Sequence, residues 1–237
     1  MSDLWTMIWK EAKEVVFQGR WGQLIRASVV IGAVGVALPW RAGLPWLELP
    51  LPVLLILLWV PFIYIFSFIG DAVAGERERH TLETLLASRM PDRAILLGKV
   101  IVTVGYAWGL ALVCLLLGPV VVSLSTGQGR WVFYHPLELF LGAVTLSLLV
   151  SLLATSAGVL ISLRVATVRQ AQQIMAVGTV VLIFGGILVL SILPADLFSS
   201  LSYSQLLLTA MAVLAILDAV LLGLALLSFQ RSRLILS

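Results

Sequence analysis

A chain of 237 residues that is 61% hydrophobic and only 11% charged lies far from a soluble domain, which is roughly 45–50% apolar and about 25% charged. That balance excludes a water-soluble globular enzyme. A net charge of +3 with no basic face excludes a nucleic-acid binder. The single cysteine, Cys114, sits in an apolar run, which excludes a disulfide framework and a cysteine metal site.

The first 20 residues lack a continuous apolar core and a small-residue cleavage site, so no secretory signal is expected. Instead Trp5, Ile8, Trp9, Ala12 and Val16 recur at helical spacing and form one apolar face, with Lys10, Lys13, Glu14 and Gln18 opposite. Residues 1–22 are read as a helix lying in the membrane interface with its Trp rings at headgroup depth. Two readings of it stand: a surface anchor, or a lever that couples a partner to the first span.

A spanning helix needs about 20 mostly apolar residues. Six runs qualify: 24–40, 51–74, 97–124, 137–163, 174–193 and 206–229. Continuous runs of this length exclude a β-barrel, whose segments are about 10 residues and alternate. The fold class is therefore an all-α membrane protein of six transmembrane helices, in one domain. Gly118-Pro119 is expected to kink the third helix, because proline removes a backbone donor. Paired small residues, namely Gly32 and Gly35, Gly105 and Gly109, Ala154 and Gly158, and Gly185 and Gly186, are expected at close helix contacts.

Thirteen of the 15 Lys and Arg residues fall on one side of these spans, leaving only Arg41 and Arg130 on the other. The positive-inside rule then places both termini and the segment 75–99 in the cytoplasm. Trp40, Trp46, Trp131 and Tyr134 fall at the opposite interface, where amphipathic rings are favoured. The outer linker 194–205 is too short for a domain and carries Leu197, Phe198 and Leu201, which suit a short dip into the interface.

The segment 75–99, GERERHTLETLLASRMPDRAILLGK, is the one dense polar stretch between two apolar runs. Leu82, Leu85 and Leu86 share a helical face, preceded by Glu76, Arg77, Glu78, Arg79 and His80. Pro91 ends that helix and Asp92 is placed to cap the next. Gly98 allows close packing, and Lys99 is expected to snorkel to the surface. The result is a helix–break–helix elbow with a small apolar face rimmed by charge, the form of a docking surface for another protein. A solvated, topology-setting loop accounts for the arginines but not for the leucine face.

This segment resembles the signature of the type-2 ABC transporter permeases, the membrane subunits of many bacterial ABC exporters. Glu76, Glu78, Thr81, Leu82, Glu83, Leu85, Leu86, Pro91, Gly98 and Lys99 stand at the matching places. His80 stands where the family usually has glycine, and Ser88-Arg89-Met90 makes the approach to Pro91 one residue longer. The layout agrees over nearly the whole length: interfacial helix 1–22, spans 24–74, elbow 75–99, spans 97–229 and cytoplasmic tail 230–237. The resemblance implies that the elbow is a coupling helix seated in a groove of a separate ATP-binding subunit, which holds ATP and Mg. It implies a second permease copy, identical or related, around a substrate path, in a bacterial or archaeal cytoplasmic membrane. It also implies export.

No catalytic, cofactor or metal residues are expected in this chain. A phosphate-binding loop needs Gly-x-x-x-x-Gly-Lys-Ser/Thr, and at Gly98-Lys99 the first glycine is Arg93 and Val100 follows. Asp218, in the middle of the sixth run, is the candidate for the translocation path. The alternative is a hydrogen-bonded packing residue, because a mid-membrane acid normally faces a bundle interior. The rival functions are a stand-alone secondary carrier or channel, which calls for a repeated pair of broken or charged helices, and a non-transporting assembly factor. The apolar interior favours a lipid-like, drug-like or peptide cargo.

Overall fold

The computed structural model describes residues 2–13, 20–48, 56, 60–62, 64–65, 74–75, 78, 91–126, 131–192 and 203–229. In chain order the helices are α1 (Ser2–Lys13), α2 (Arg20–Val30), α3 (Pro45–Glu48), α4 (Asp92–Ser125), α5 (Leu137–Arg164), α6 (Val168–Ile192) and α7 (Tyr203–Ser228). α2 runs on as a π-helix, Ile31–Ala37, and a last α turn, Leu38–Ala42. No strand occurs among the described residues. This is what a hydrocarbon environment demands, since each backbone donor must be satisfied within its own segment.

Four of these helices are long and apolar enough to cross a membrane: Leu24–Ala42, Asp92–Ser125, Leu137–Arg164 and Ser204–Ser228. The chain is a multi-pass membrane protein. The expected second span, 51–74, lies mostly outside the described residues, but Ile56, Val60, Tyr64 and Ile65 within it are at most 2% exposed. The expected fifth run is helical in α6 as far as Ile192. The outer linker falls outside the described residues up to Tyr203.

α4 starts earlier than its apolar run, at Asp92. Pro91 is extended (φ −68°, ψ 141°) and forms the helix boundary itself. Asp92 therefore lies in the first turn, and the N-cap position expected of it is taken by Pro91. There it opposes the positive end of the helix dipole, as Glu138 does in α5.

α4 is the spine. It is packed by α1, α2 and α5, and α5 in turn carries α6 and α7. Helix association within lipid relies on close packing, because the tails are as apolar as the side chains. The contacts accordingly use small residues. A Cβ on Gly35 of α2 would stand 3.4 Å from Leu117 Cδ1 and 3.5 Å from Cys114 Cα of α4. A Cβ on Gly142 of α5 would collide with the Leu207 side chain of α7. Thr145 Oγ1, one turn along α5, lies 3.7 Å from Met211 Sδ, so α5 and α7 run in the same direction. Trp108 Nε1 of α4 donates to the Val144 carbonyl of α5 at 3.1 Å. Several other glycines have no such contact among the described residues. Gly32, Gly105, Gly109 and Gly185 have no described side chain or neighbouring backbone within 4 Å of a Cβ position.

Pro119 lies inside α4 without ending it. Proline has no N–H, so the carbonyl four residues earlier, Leu115, loses its helical donor. Tyr134, from the segment before α5, supplies one: its hydroxyl donates to the Leu115 carbonyl at 3.0 Å. Gly118 makes the approach possible, since a Cβ there would stand 2.9 Å from the Tyr134 hydroxyl and 3.0 Å from Trp46 Nε1. Trp46 and Tyr134 are each 3% exposed, whereas Trp40 and Trp131 are 59% and 81% exposed. Of the four rings expected at that interface, only these last two are exposed. Trp46 and Tyr134 are instead core residues that close this end of the bundle around the proline.

Candidate functional site

The opposite end of the bundle gathers the charged groups. α1 lies against the first turns of α4 through Met7, which is 0% exposed, and Glu11. Gly98 admits it: a Cβ there would stand 2.6 Å from Met7 Cγ and 3.0 Å from Met7 Cβ. One residue on, Lys99 Nζ donates to Glu11 Oε1 at 2.9 Å, with side chains 6% and 11% exposed. Lys10 Nζ reaches the same oxygen at 4.0 Å from the wet side. Lys99 thus does not snorkel outward. It is held inside, where an ammonium needs a carboxylate to offset its lost hydration.

This arrangement orients α1. Trp5 and Trp9 are 68% and 57% exposed and point away from α4, with Ile8 and Ala12 half-buried beside them. Val16 lies outside the described residues. Lys13 Nζ stands 5.2 Å over the Trp9 ring, which places a cation on the exposed aromatic face. The amphipathic stripe read from the sequence is the outward face. The inward face, Met7 and Glu11, went unnoticed there. Its signal was available: a Glu opposite the Trp stripe, and a Lys one residue after a glycine at the start of an apolar run.

Of the candidate coupling residues, Glu76, Thr81, Leu82, Glu83, Leu85 and Leu86 lie outside the described residues, while Glu78 and Pro91 are described. Pro91 opens α4. Glu78 is tied elsewhere: its Oε1 accepts from the Val168 backbone N–H at 2.9 Å, at the first residue of α6. Just before it, the Ala74 backbone N–H donates to Ser162 Oγ of α5 at 3.0 Å. Ala74, Val165 and Ala171 pack into a small apolar cluster, each at most 5% exposed. The entry into the charged connector is therefore bonded to the α5–α6 junction at two points.

Asp218 is 3% exposed in mid-α7, on the stripe with Leu207 and Met211 that turns toward α5. Neither carboxylate oxygen has a hydrogen-bond partner among the described residues, and the same holds for Thr155 Oγ1 on α5. The structure brings Asp218 to a helix seam, far along the chain from the connector residues. A separate apolar cavity of about 180 Å³ lies between α5 and α6 and is lined by Phe62, Leu153, Ala157, Ile161, Met175 and Gly178 among others. Its one hydroxyl, on Thr179, donates to the Met175 carbonyl at 2.9 Å. No three His, Cys, Asp or Glu side chains converge as a metal site among the described residues.

Apolar helices assembled on one spine, with a charged connector bonded to one end of the bundle, define a multi-pass membrane protein. The family model described as ABC-2 family transporter protein matches residues 51–227, and the chain belongs to that family, the type-2 permeases of ABC transporters. No curated protein matches the chain.

Proposed function

We propose that this permease is the membrane subunit of an ABC exporter, driven by a separate ATP-binding subunit that docks on the elbow 75–99. The observation that carries the reading is the family match over 51–227, which includes the elbow and the helices to which Glu78 and Ala74 are bonded. Within the segment, Glu76, Thr81, Leu82, Glu83, Leu85 and Leu86 are the residues assigned to docking, while Glu78 and Pro91 belong to it in sequence, with Glu78 bonded to α6 and Pro91 opening α4. ATP and Mg are held by the partner, and this chain supplies no hydrolytic group.

The asymmetry of Lys and Arg orients the elbow and both termini to the cytoplasm of a bacterial or archaeal cell. α1 lies in the cytoplasmic interface with Trp5 and Trp9 toward the headgroups. Two permease copies, identical or related, enclose the path. The apolar lining of the α5–α6 cavity supports a hydrophobic or amphipathic cargo. Asp218 stands on the α5–α7 seam, a position that supports packing over direct contact with cargo.

The test is capture of the tagged protein from native membranes, with mass spectrometry and an ATPase assay on the eluate. An ATP-binding subunit is expected to co-purify and to be lost when Glu83 and Leu86 are both replaced by alanine. Intact protein without such a subunit would move the function to a stand-alone carrier.

A further inference from the structure

A helix leaves its first N–H groups without intrahelical acceptors and carries a partial positive charge at that end. α4 and α5 answer this from their own first turns, with Asp92 and Glu138. α6 has no acid in its first turn. Its local cap is neutral: Thr167 Oγ1 accepts from the Gln170 N–H at 3.2 Å, and the Thr167 carbonyl accepts from Ala171 at 3.1 Å. The negative charge comes from Glu78, 90 positions earlier in the chain, on the Val168 N–H at 2.9 Å. The Ala74–Ser162 bond and the Ala74, Val165 and Ala171 cluster hold the backbone just upstream of Glu78 against the same junction.

From this arrangement we propose that Glu78 is a positioning residue that transmits motion of the elbow into α6. It does so as the N-terminal charge of that helix, lent by another segment and therefore removable. The inference rests on the docking of an ATP-binding subunit at the elbow. It separates two duties within the charged stretch: docking of the partner, assigned to Glu83 and the leucines, and contact with the permease's own α6, made by Glu78. When the elbow shifts, the carboxylate leaves Val168, and the first turn of α6 loses its charge complement beside the α5–α6 cavity.

The experiment uses the co-purified complex in lipid nanodiscs and hydrogen–deuterium exchange of the peptide spanning Val168–Ala171, with and without MgATP plus vanadate. Wild type, Glu78→Ala and Glu78→Gln are compared. In wild type, trapping is expected to raise exchange in this turn about fivefold, the size of a lost helix cap. In Glu78→Ala, the ATP-binding subunit still co-purifies, exchange is already raised without nucleotide, and trapping adds nothing. Glu78→Gln keeps an acceptor but loses the charge, so its response is expected to fall between wild type and Glu78→Ala, an ordering that a general folding defect would not give.

Thr167→Ala removes only the local cap and serves as the second variant. It raises exchange but preserves the response to trapping. The proposal is overturned if Glu78→Ala retains the trapping response, or if it loses the ATP-binding subunit, which would make Glu78 a docking contact. A wild-type protein that captures no ATP-binding subunit overturns the docking reading itself.

Discussion

Replacing Tyr134 by phenylalanine removes one oxygen and leaves the ring in place, so it isolates the bond to the Leu115 carbonyl. That carbonyl has lost its helical donor to Pro119 and sits inside α4, where Leu115 is 0% exposed. An acceptor left unsatisfied in such a place costs about 1–3 kcal/mol, more than the net worth of an ordinary hydrogen bond. Burial pushes the Tyr134 phenol above its ordinary value, so it remains a donor at working pH. The raised value favours the protonated, folded form. Its contribution is thus fully present below the unfolded phenol's value near 10.0 and is lost as pH rises beyond it. The assay is denaturant unfolding in a fixed detergent for wild type, Tyr134→Phe, Pro119→Ala and the double variant. Pro119→Ala restores an N–H to the helix, so Leu115 regains its own donor and the phenylalanine becomes nearly silent. The expected result is a loss of about 2 kcal/mol for Tyr134→Phe alone and under about 0.5 kcal/mol for the same change in the alanine background. Equal losses in both backgrounds would refute the reasoning and assign the effect to packing of the ring.

Glu11→Leu should destabilise the α1–α4 contact by about 3 kcal/mol, and Lys99→Met by less because Lys10 can approach Glu11; the double variant should return to near wild type. Additive losses in the same unfolding assay would dismiss the pair. Gly98→Val is expected to dislodge α1 by driving into Met7, at a cost of about 2 kcal/mol, with partial rescue by Met7→Ala. Loss of that rescue would show that α1 tolerates the extra volume. Gly142→Val should likewise part α5 from α7 and be relieved by Leu207→Ala, read as recovery of thermal stability. Asp218→Leu should raise stability by about 1–2 kcal/mol, since it removes a buried acid without a described partner. Lower transport by a protein of unchanged stability would place Asp218 on the path instead.

Apolar runs found α4, α5 and α7 within a few residues of their ends, because hydrocarbon selects on length and composition, and both are visible in one dimension. The amphipathic stripe of α1 was legible for the same reason. Partner choice was not. Gly98 could be read as a close contact, but nothing in its neighbourhood says that the neighbour is Met7 of α1 rather than another span. Lys99 looked like a snorkelling residue because its carboxylate lies 88 positions away. Trp46 and Tyr134 carry the composition of interface residues, yet the carbonyl freed by Pro119 drew the tyrosine inward. The π-helical stretch of α2 had no sequence signal at all. It appears in the Leu38 N–H bonding back to the Ala33 carbonyl, five residues earlier. At Gly105 and Gly109 no described neighbour stands within 4 Å of a Cβ position, so the spacing alone does not name a partner helix. Within the connector, the motif gave no sign of the bond between Glu78 and Val168, whose partner lies 90 positions away.

The length of α4 sets a distance. At about 1.5 Å per residue its 34 residues extend about 50 Å, against a hydrocarbon thickness of about 30 Å. The surplus falls largely at its first two turns, where Asp92, Arg93 and Lys99 are polar. Pro91 stands about 12 Å beyond Lys99 along the helix axis. It is thereby separated from the apolar part of α4 by the two turns that carry Asp92, Arg93 and Lys99, with α1 packed against them through Met7 and Glu11.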